Sequence, residues 1–266
     1  MQSARHKDGS LTVDQYTVLA ELYDHLMQHV DYKLWCDYVF RLLKKHGRRP
    51  ESIPKGMPNG ILEIACGTGS LLREIKRYCG GAVGMDKSIP MLKKASEKLR
   101  DHSSGFPLVN GDIASPPFKA RFSTILCLYD SMNYLESLNH LIETVETILS
   151  LLEPGGVFIF DVCTEYNSRQ FFNGHYYSNS YKNFFYTRKS LYDTKKKTQT
   201  NDFVITNSVT GQIWKEHHRQ TIYGIEEIYS SLQSKPLRRI EMFKNYSLKP
   251  PDTVSERVHF YLEKGV

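Results

Sequence analysis

The segment Ile61-Leu62-Glu63-Ile64-Ala65-Cys66-Gly67-Thr68-Gly69-Ser70 puts a carboxylate on a short apolar run, then turns through small residues into a helical stretch. Small residues let a backbone approach a ligand closely, and a helix N-terminus presents free N–H donors. That shape suits a nucleotide-like cofactor. A dinucleotide site needs a third glycine where this chain has Leu72, a side chain too bulky for close helix–strand packing. An acid at Glu63 also suits a cationic or amine-bearing ligand better than a pyrophosphate. Asp86 closes the next apolar run, Val83-Gly84-Met85, where a carboxylate can accept both hydroxyls of a ribose. Asp112, followed by Ile113, can hold an adenine amino group while the apolar neighbour flanks the ring. The stretch Cys127–Tyr134 lies at the carboxyl end of a further apolar run, the place where open parallel sheets bind ligands. Asp130 and Asn133 in that stretch are candidates to meet a second substrate.

His217 and His218 stand later, after Trp214-Lys215-Glu216. One of them could accept a substrate proton. Neighbours on a strand point to opposite faces, so only one can face a cleft, and His218 is the candidate taken. His175, Tyr176 and Tyr177 lie near the expected acceptor side but carry no motif. Ser115-Pro116-Pro117-Phe118 looks like a signature of amide and adenine amino methylation, but it precedes the fourth apolar run and reads as a turn into it.

The elements that must position these residues follow from periodicity. Residues 11–46 show two helical stripes, one through Leu19, Leu22, Tyr23, Leu26 and Val30 and one from Trp35 to Leu43. Residues 47–60 hold three prolines and three glycines and read as a linker. From Gly60 to Cys163, short apolar runs alternate with helices, including one capped at Ser88 and one over about 136–152 that stops at Glu153-Pro154-Gly155-Gly156. That alternation predicts an α/β fold with a doubly wound, mostly parallel sheet of seven strands. Residues 164–222 lose the helical stripe and read as antiparallel strands. A short helix over about 224–233 and two closing strands over about 237–248 and 256–263 complete the pattern. The expected organisation is an N-terminal helical lid over 1–46, a core over 60–163 and 224–266, and a small β-rich cap over 164–223 inserted in it.

The 266 residues are 40% hydrophobic and 24% charged, which excludes disorder, collagen and coiled coil for the whole chain. No apolar run is long enough to span a membrane, and the polar start MQSARHKDGS is not a secretory signal. Five cysteines, none spaced as a Cys-x-x-Cys pair, predict reduced thiols, a cytoplasmic location and no metal site. Residues 1–163 carry 19 basic and 19 acidic side chains, and residues 164–266 carry 16 and 10. The excess could favour an anionic partner, although the cluster Lys195-Lys196-Lys197 reads as a solvated hairpin tip.

Glu63–Gly69 (EIACGTG), Gly84–Ser88 (GMDKS), Asn110–Ile113 (NGDI) and Phe122–Leu128 (FSTILCL) resemble motifs I to IV of class I S-adenosylmethionine-dependent methyltransferases. The resemblance covers about residues 60–163. The flanks resemble a branch of small bacterial and archaeal members, with a Tyr-rich helix pair, the segment Asp130–Leu135 (DSMNYL) and a β-rich insertion after the fifth strand. The resemblance implies that Glu63, Ala65, Gly67 and Gly69 surround the methionine moiety, Asp86 binds the ribose, and Asp112 with Ile113 binds the adenine, with Lys87 and Met91 beside them. The backbone at Cys127 would lie near the methionine amino group, and Tyr16, Tyr23 and Trp35 would cover the cofactor. Ala65 departs from the family's usual glycine.

The expected function is methyl transfer from S-adenosylmethionine to a nitrogen or oxygen of a small-molecule acceptor, leaving S-adenosylhomocysteine. Asp130, Asn133 and His218 are the acceptor-side candidates. An RNA or protein acceptor, a non-catalytic S-adenosylmethionine-binding protein and, last, a nicotinamide oxidoreductase are the alternatives.

Overall fold

The computed structural model describes residues 4–49, 60–100 and 106–265. Most of the segment read as a linker, residues 50–59, lies outside the described residues. The chain opens with β1 (Ala4–Arg5) and β2 (Leu11–Thr12), a 3-10 turn at Leu19–Glu21, the short helix α1 (Tyr23–Leu26) and α2 (Tyr32–Lys45). Next come β3 (Ile61–Ile64), α3 (Ser70–Ile75), β4 (Ala82–Asp86), α4 (Ile89–Leu99), β5 (Leu108–Asn110) and β6 (Phe122–Cys127). A 3-10 turn at Ser131–Tyr134 leads to α5 (Leu138–Ser150), β7 (Leu152–Cys163) and α6 (Glu165–Phe171). The remainder is β8 (His175–Tyr181), β9 (Phe184–Asp193), β10 (Thr198–Asn207), β11 (Ile213–Thr221), α7 (Ile225–Gln233), β12 (Leu237–Lys244) and β13 (Arg257–Lys264).

Seven strands form one sheet in the order β12-β13-β7-β6-β3-β4-β5. The five strands from β7 to β5 run parallel, and β13 closes antiparallel on β7 with β12 beyond it. The apolar strands demand cover on both faces. One face packs with α5 and α7 through Leu141, Val145, Ile148 and Ile228. The other packs with α2 and α3 through Tyr38, Leu42, Leu72 and Ile75. The predicted α/β fold is therefore the observed one. No helix among the described residues is long and apolar enough to cross a membrane.

The second sheet has six strands in the order β1-β2-β11-β10-β9-β8. It is antiparallel apart from the β2/β11 pair. Its strands carry Tyr186, Phe203 and Ile205 into a small core shared with Leu19 and Leu22.

Three expectations are corrected. The N-terminal 46 residues are not a helix pair set apart: β1 and β2 join the second sheet, and α2 is a layer of the main core. The apolar face of α2 from Trp35 to Leu43 is too continuous to leave exposed, and Asp31 caps it by accepting from the Leu34 N–H at 2.9 Å. Residues 164–222 do contain a helix, α6, capped by Thr164, whose hydroxyl accepts from the Asn167 N–H at 3.2 Å. Seven residues are too few to print a helical stripe. The helix predicted to stop at Glu153–Gly156 does stop just before them, at Ser150, but those four residues are already part of β7.

Candidate active site

The first glycine-rich turn leaves β3 with three residues in the left-handed backbone region: Ala65 at φ 56°, Gly67 at φ 55° and Gly69 at φ 74°. At Gly67 and Gly69 the missing Cβ makes that conformation free, whereas Ala65 carries a cost of about 1–2 kcal/mol. A Cβ on Gly69 would also stand 3.2 Å from the Ala95 Cβ on α4. The turn wraps around Asp86 at the end of β4. The Asp86 carboxylate accepts from the Gly67 N–H and the Ser88 N–H, both at 2.8 Å. Burial holds it above the usual carboxylate range. Ser88 in turn caps α4, accepting from the Met91 N–H at 3.3 Å, and Met91 itself is buried.

A cavity opens beside this turn, lined by Tyr23, Tyr32, Trp35, Glu63, Gly67 and Tyr129 among others. Glu63 is 5% exposed, and its Oε2 has no hydrogen-bond partner among the described residues. Burial, reinforced by the Asp86 charge, pushes its carboxyl up to about 8. A buried, unpaired carboxyl oxygen beside four aromatic rings is a place for a cation. Just past β5, Asp112 is half-buried and pairs with Lys87 at 2.7 Å. Its carboxyl lies below the ordinary range even though burial opposes the Lys87 and Ala114 hydrogen bonds. Ile113 packs on the edge of the core. Cys127 is fully buried at the end of β6, opposite Ile64 of β3.

The acceptor-side candidates fare differently. Asp130 is paired with Arg257, whose Nη2 donates to Asp130 Oδ2 at 2.9 Å, and Arg257 also binds Asp161. Asn133 is fully buried: its Nδ2 donates to the Thr221 carbonyl at 2.8 Å, and its Oδ1 accepts from the Cys163 N–H at 2.9 Å. Both ends of each side chain already have a partner within the fold. They tie the end of β6 to β13, and the end of β7 to β11. His218 is 2% exposed and lies behind Tyr134, with Nδ1 3.2 Å from the Tyr134 hydroxyl. Tyr16 does not line the cavity. Its hydroxyl stands 2.6 Å from that of Tyr134.

Sequence reasoning missed Arg257. A basic residue opening the mostly apolar run Val258–Leu262, which also holds His259, was the available signal, because a buried cation needs a carboxylate. It also missed the cluster in which Lys98 Nζ reaches Asp24, Thr68 and Ser70 at 2.7, 2.8 and 2.6 Å. That cluster fastens α1 over the glycine turn.

Residues 61–156 match the family model described as a methyltransferase domain. The chain is 25% identical over 252 residues to the putative methyltransferase YqeM of Bacillus subtilis (strain 168), covering 94% of this chain and 97% of that protein. A solved S-adenosylmethionine-dependent methyltransferase from Clostridium acetobutylicum ATCC 824 superposes with a TM-score of 0.76 at 25% identity, covering 94% of this chain and 99% of that one. A methyltransferase domain over residues 61–156 and these neighbours support a class I S-adenosylmethionine-dependent methyltransferase. A further relative is dTDP-3-amino-3,4,6-trideoxy-alpha-D-glucopyranose N,N-dimethyltransferase of Streptomyces venezuelae, 28% identical over 144 residues, which cover 53% of this chain and 56% of that protein. The residues that fit the cofactor in this methyltransferase lie in both the matched segment and the N-terminal helices. Glu63 supplies the unpaired carboxyl oxygen, and Tyr23, Tyr32 and Trp35 supply rings that suit a sulfonium or an ammonium.

Proposed function

We propose that the methyltransferase methylates a nitrogen or oxygen of a small-molecule acceptor held at the seam between the main sheet and the β cap. The observation that carries this reading is the joining of the two sheets there: His218 of β11 meets Tyr134 of the core, and Glu216 accepts the backbone N–H groups of Tyr16, Val18 and Leu19. An acceptor bound at such a seam is compact. The Streptomyces venezuelae relative is named for a nucleotide-linked amino sugar, which supports an acceptor of that size and an amine as its nucleophile.

When bound, S-adenosylmethionine supplies an activated methyl group on a sulfonium sulfur. Glu63 faces its amino end, Asp86 takes the ribose hydroxyls, and Asp112 with Ile113 takes the adenine, flanked by Lys87 and Met91. The backbone of Ala65, Gly67, Gly69 and Cys127 and the rings of Tyr23 and Trp35 complete the enclosure. Tyr16 belongs to the acceptor side. Positioning alone can lower the barrier by about 7–11 kcal/mol. Two of the three lysines at the β9–β10 tip are paired, Lys196 with Asp193 and Lys197 with Glu165, which disfavours an RNA acceptor. The five thiols are free and buried, which supports a cytoplasmic location.

Two measurements test the reading. With its carboxyl at about 8, Glu63 is mostly protonated at neutral pH. A cation bound beside it favours the ionised form, so cofactor binding near pH 7 should release close to one proton. Calorimetry in buffers of different ionisation enthalpy measures that release, and Glu63→Gln should abolish it. Release that persists in Glu63→Gln would remove Glu63 from the site. For the acceptor, S-adenosylmethionine consumption is screened against cell metabolites and dTDP-amino sugars, with mass spectrometry of the product. A methylated small molecule is expected; turnover only with RNA or protein would reverse the acceptor assignment.

A further inference from the structure

Four side chains form an unbroken hydrogen-bonded row across the seam. The hydroxyls of Tyr16 and Tyr134 lie 2.6 Å apart. Tyr134 Oη is 3.2 Å from His218 Nδ1, and His218 Nε2 is 3.2 Å from Glu216 Oε2. The Tyr16 ring also meets the His218 ring edge-on, with centroids 4.7 Å apart. His218 and Glu216 are buried, whereas Tyr16 and Tyr134 are only half-buried. The row thus runs from a sealed carboxylate to two partly buried phenols.

Glu216 sets the direction of the row. Its oxygens accept the N–H groups of Tyr16, Val18 and Leu19 at 2.8, 2.7 and 2.9 Å. Facing an oxygen that only accepts, the imidazole presents Nε2–H and leaves Nδ1 bare. Tyr134 then donates to Nδ1, and Tyr16 donates to Tyr134. Both phenol protons are committed inward, so the Tyr16 oxygen meets an incoming group with lone pairs alone. Two contacts set Tyr16 beside the cofactor crevice. Its carbonyl accepts from Ser88 Oγ at 3.1 Å, two residues past Asp86. Its ring stands edge-on to Tyr23 at 5.8 Å. Tyr23 in turn lines the cavity with Glu63 and Gly67.

We propose that Tyr16 accepts the proton that the acceptor nitrogen or oxygen gives up, with Tyr134 and His218 relaying it inward and Glu216 as the positioning residue. The inference rests on the reading that the acceptor enters at the seam. The acceptor keeps the electron pair of its broken N–H or O–H bond. Its proton joins the Tyr16 oxygen as the Tyr16 proton passes to Tyr134 and the Tyr134 proton to His218 Nδ1. Both phenols end neutral, and the new imidazolium stands against the Glu216 carboxylate until solvent takes the proton. Burial raises both phenols above their ordinary range, so a concerted shift that leaves neither as phenolate is the accessible route.

The test compares two ligands that need no acceptor. Sinefungin carries an amine in place of the sulfur-bound methyl, and S-adenosylhomocysteine carries nothing there. Calorimetry should find sinefungin bound about tenfold more tightly by the wild type, through the hydrogen bond from its amine to Tyr16. In Tyr16→Phe the ratio of the two affinities should fall to about one, taking the loss of that single bond as the whole difference. A ratio unchanged in Tyr16→Phe overturns the assignment. Binding of neither ligand by the wild type sinks the cofactor reading itself. In ligand-free protein labelled with nitrogen-15 at histidine, Tyr134→Phe should shift the His218 Nδ1 resonance and leave Nε2 in place. An unmoved Nδ1 resonance in a variant that melts like the wild type contradicts the relay.

Discussion

Asp86→Ala should weaken S-adenosylmethionine binding tenfold or more in a calorimetric titration. Each hydrogen bond to a charged acceptor is worth about 1.5–3 kcal/mol, and about 1.4 kcal/mol is a factor of ten. Asp86 acts twice. Under the proposed assignment it would offer its oxygens to the ribose, and it also holds the glycine turn through Gly67 and the start of α4 through Ser88. Asp86→Asn keeps the shape and one acceptor oxygen, so its loss should be smaller than that of the alanine variant. Equal affinity in Asp86→Ala and wild type would take the ribose away from this carboxylate.

Arg257→Met should lower the unfolding free energy by about 3–5 kcal/mol, the cost of leaving buried charge unpaired. The guanidinium lies over the rings of Trp35 and Tyr129, at 5.2 and 4.9 Å, and bridges Asp130 and Asp161. The Asp161 carboxylate also accepts from the Tyr129 N–H at 2.6 Å and the Asp130 N–H at 3.1 Å. Those bonds hold Tyr129 and Asp130 in the left-handed region, at φ 65° and 62°. Without Arg257, two carboxylates would share a dry site. Burial raises the Asp130 carboxyl to about 6 even with the cation present. An acid whose folded value exceeds the unfolded value of about 3.9 binds its proton more tightly when folded, so stability rises as pH falls from about 6 towards 4. In the variant that window moves upward. Denaturant unfolding at about pH 7.5 and about pH 5.5 should show the deficit shrinking on acidification. A deficit of the same size at both pH values would show that lost packing, not unpaired charge, sets the cost.

The glycine turn and the strand-end acid beside it were legible because their signals are local. Glu63, Gly67 and Gly69 sit within seven residues, and Asp86 and Ser88 mark the end of a strand and the cap of the next helix. The seam between the two sheets was not legible, because its partners are remote. Asp130 looked available for chemistry until Arg257, far along the chain, claimed it. Asn133 looked similar, yet its amide is consumed by Thr221 and Cys163. Tyr16 read as part of a helical lid, whereas Glu216, about two hundred positions on, draws its backbone into the seam. Periodicity identified α2 as a helix, but not that its buried face belongs to the main core.

A crystal structure with S-adenosylhomocysteine bears most directly on the cofactor assignment. The adenosine should lie over the glycine turn, with the Asp86 oxygens on both ribose hydroxyls, the Asp112 carboxylate at the adenine edge and Glu63 Oε2 turned to the amino end. An adenosine seated elsewhere, or carboxylates of Glu63, Asp86 and Asp112 that do not meet around it, would refute the assignment.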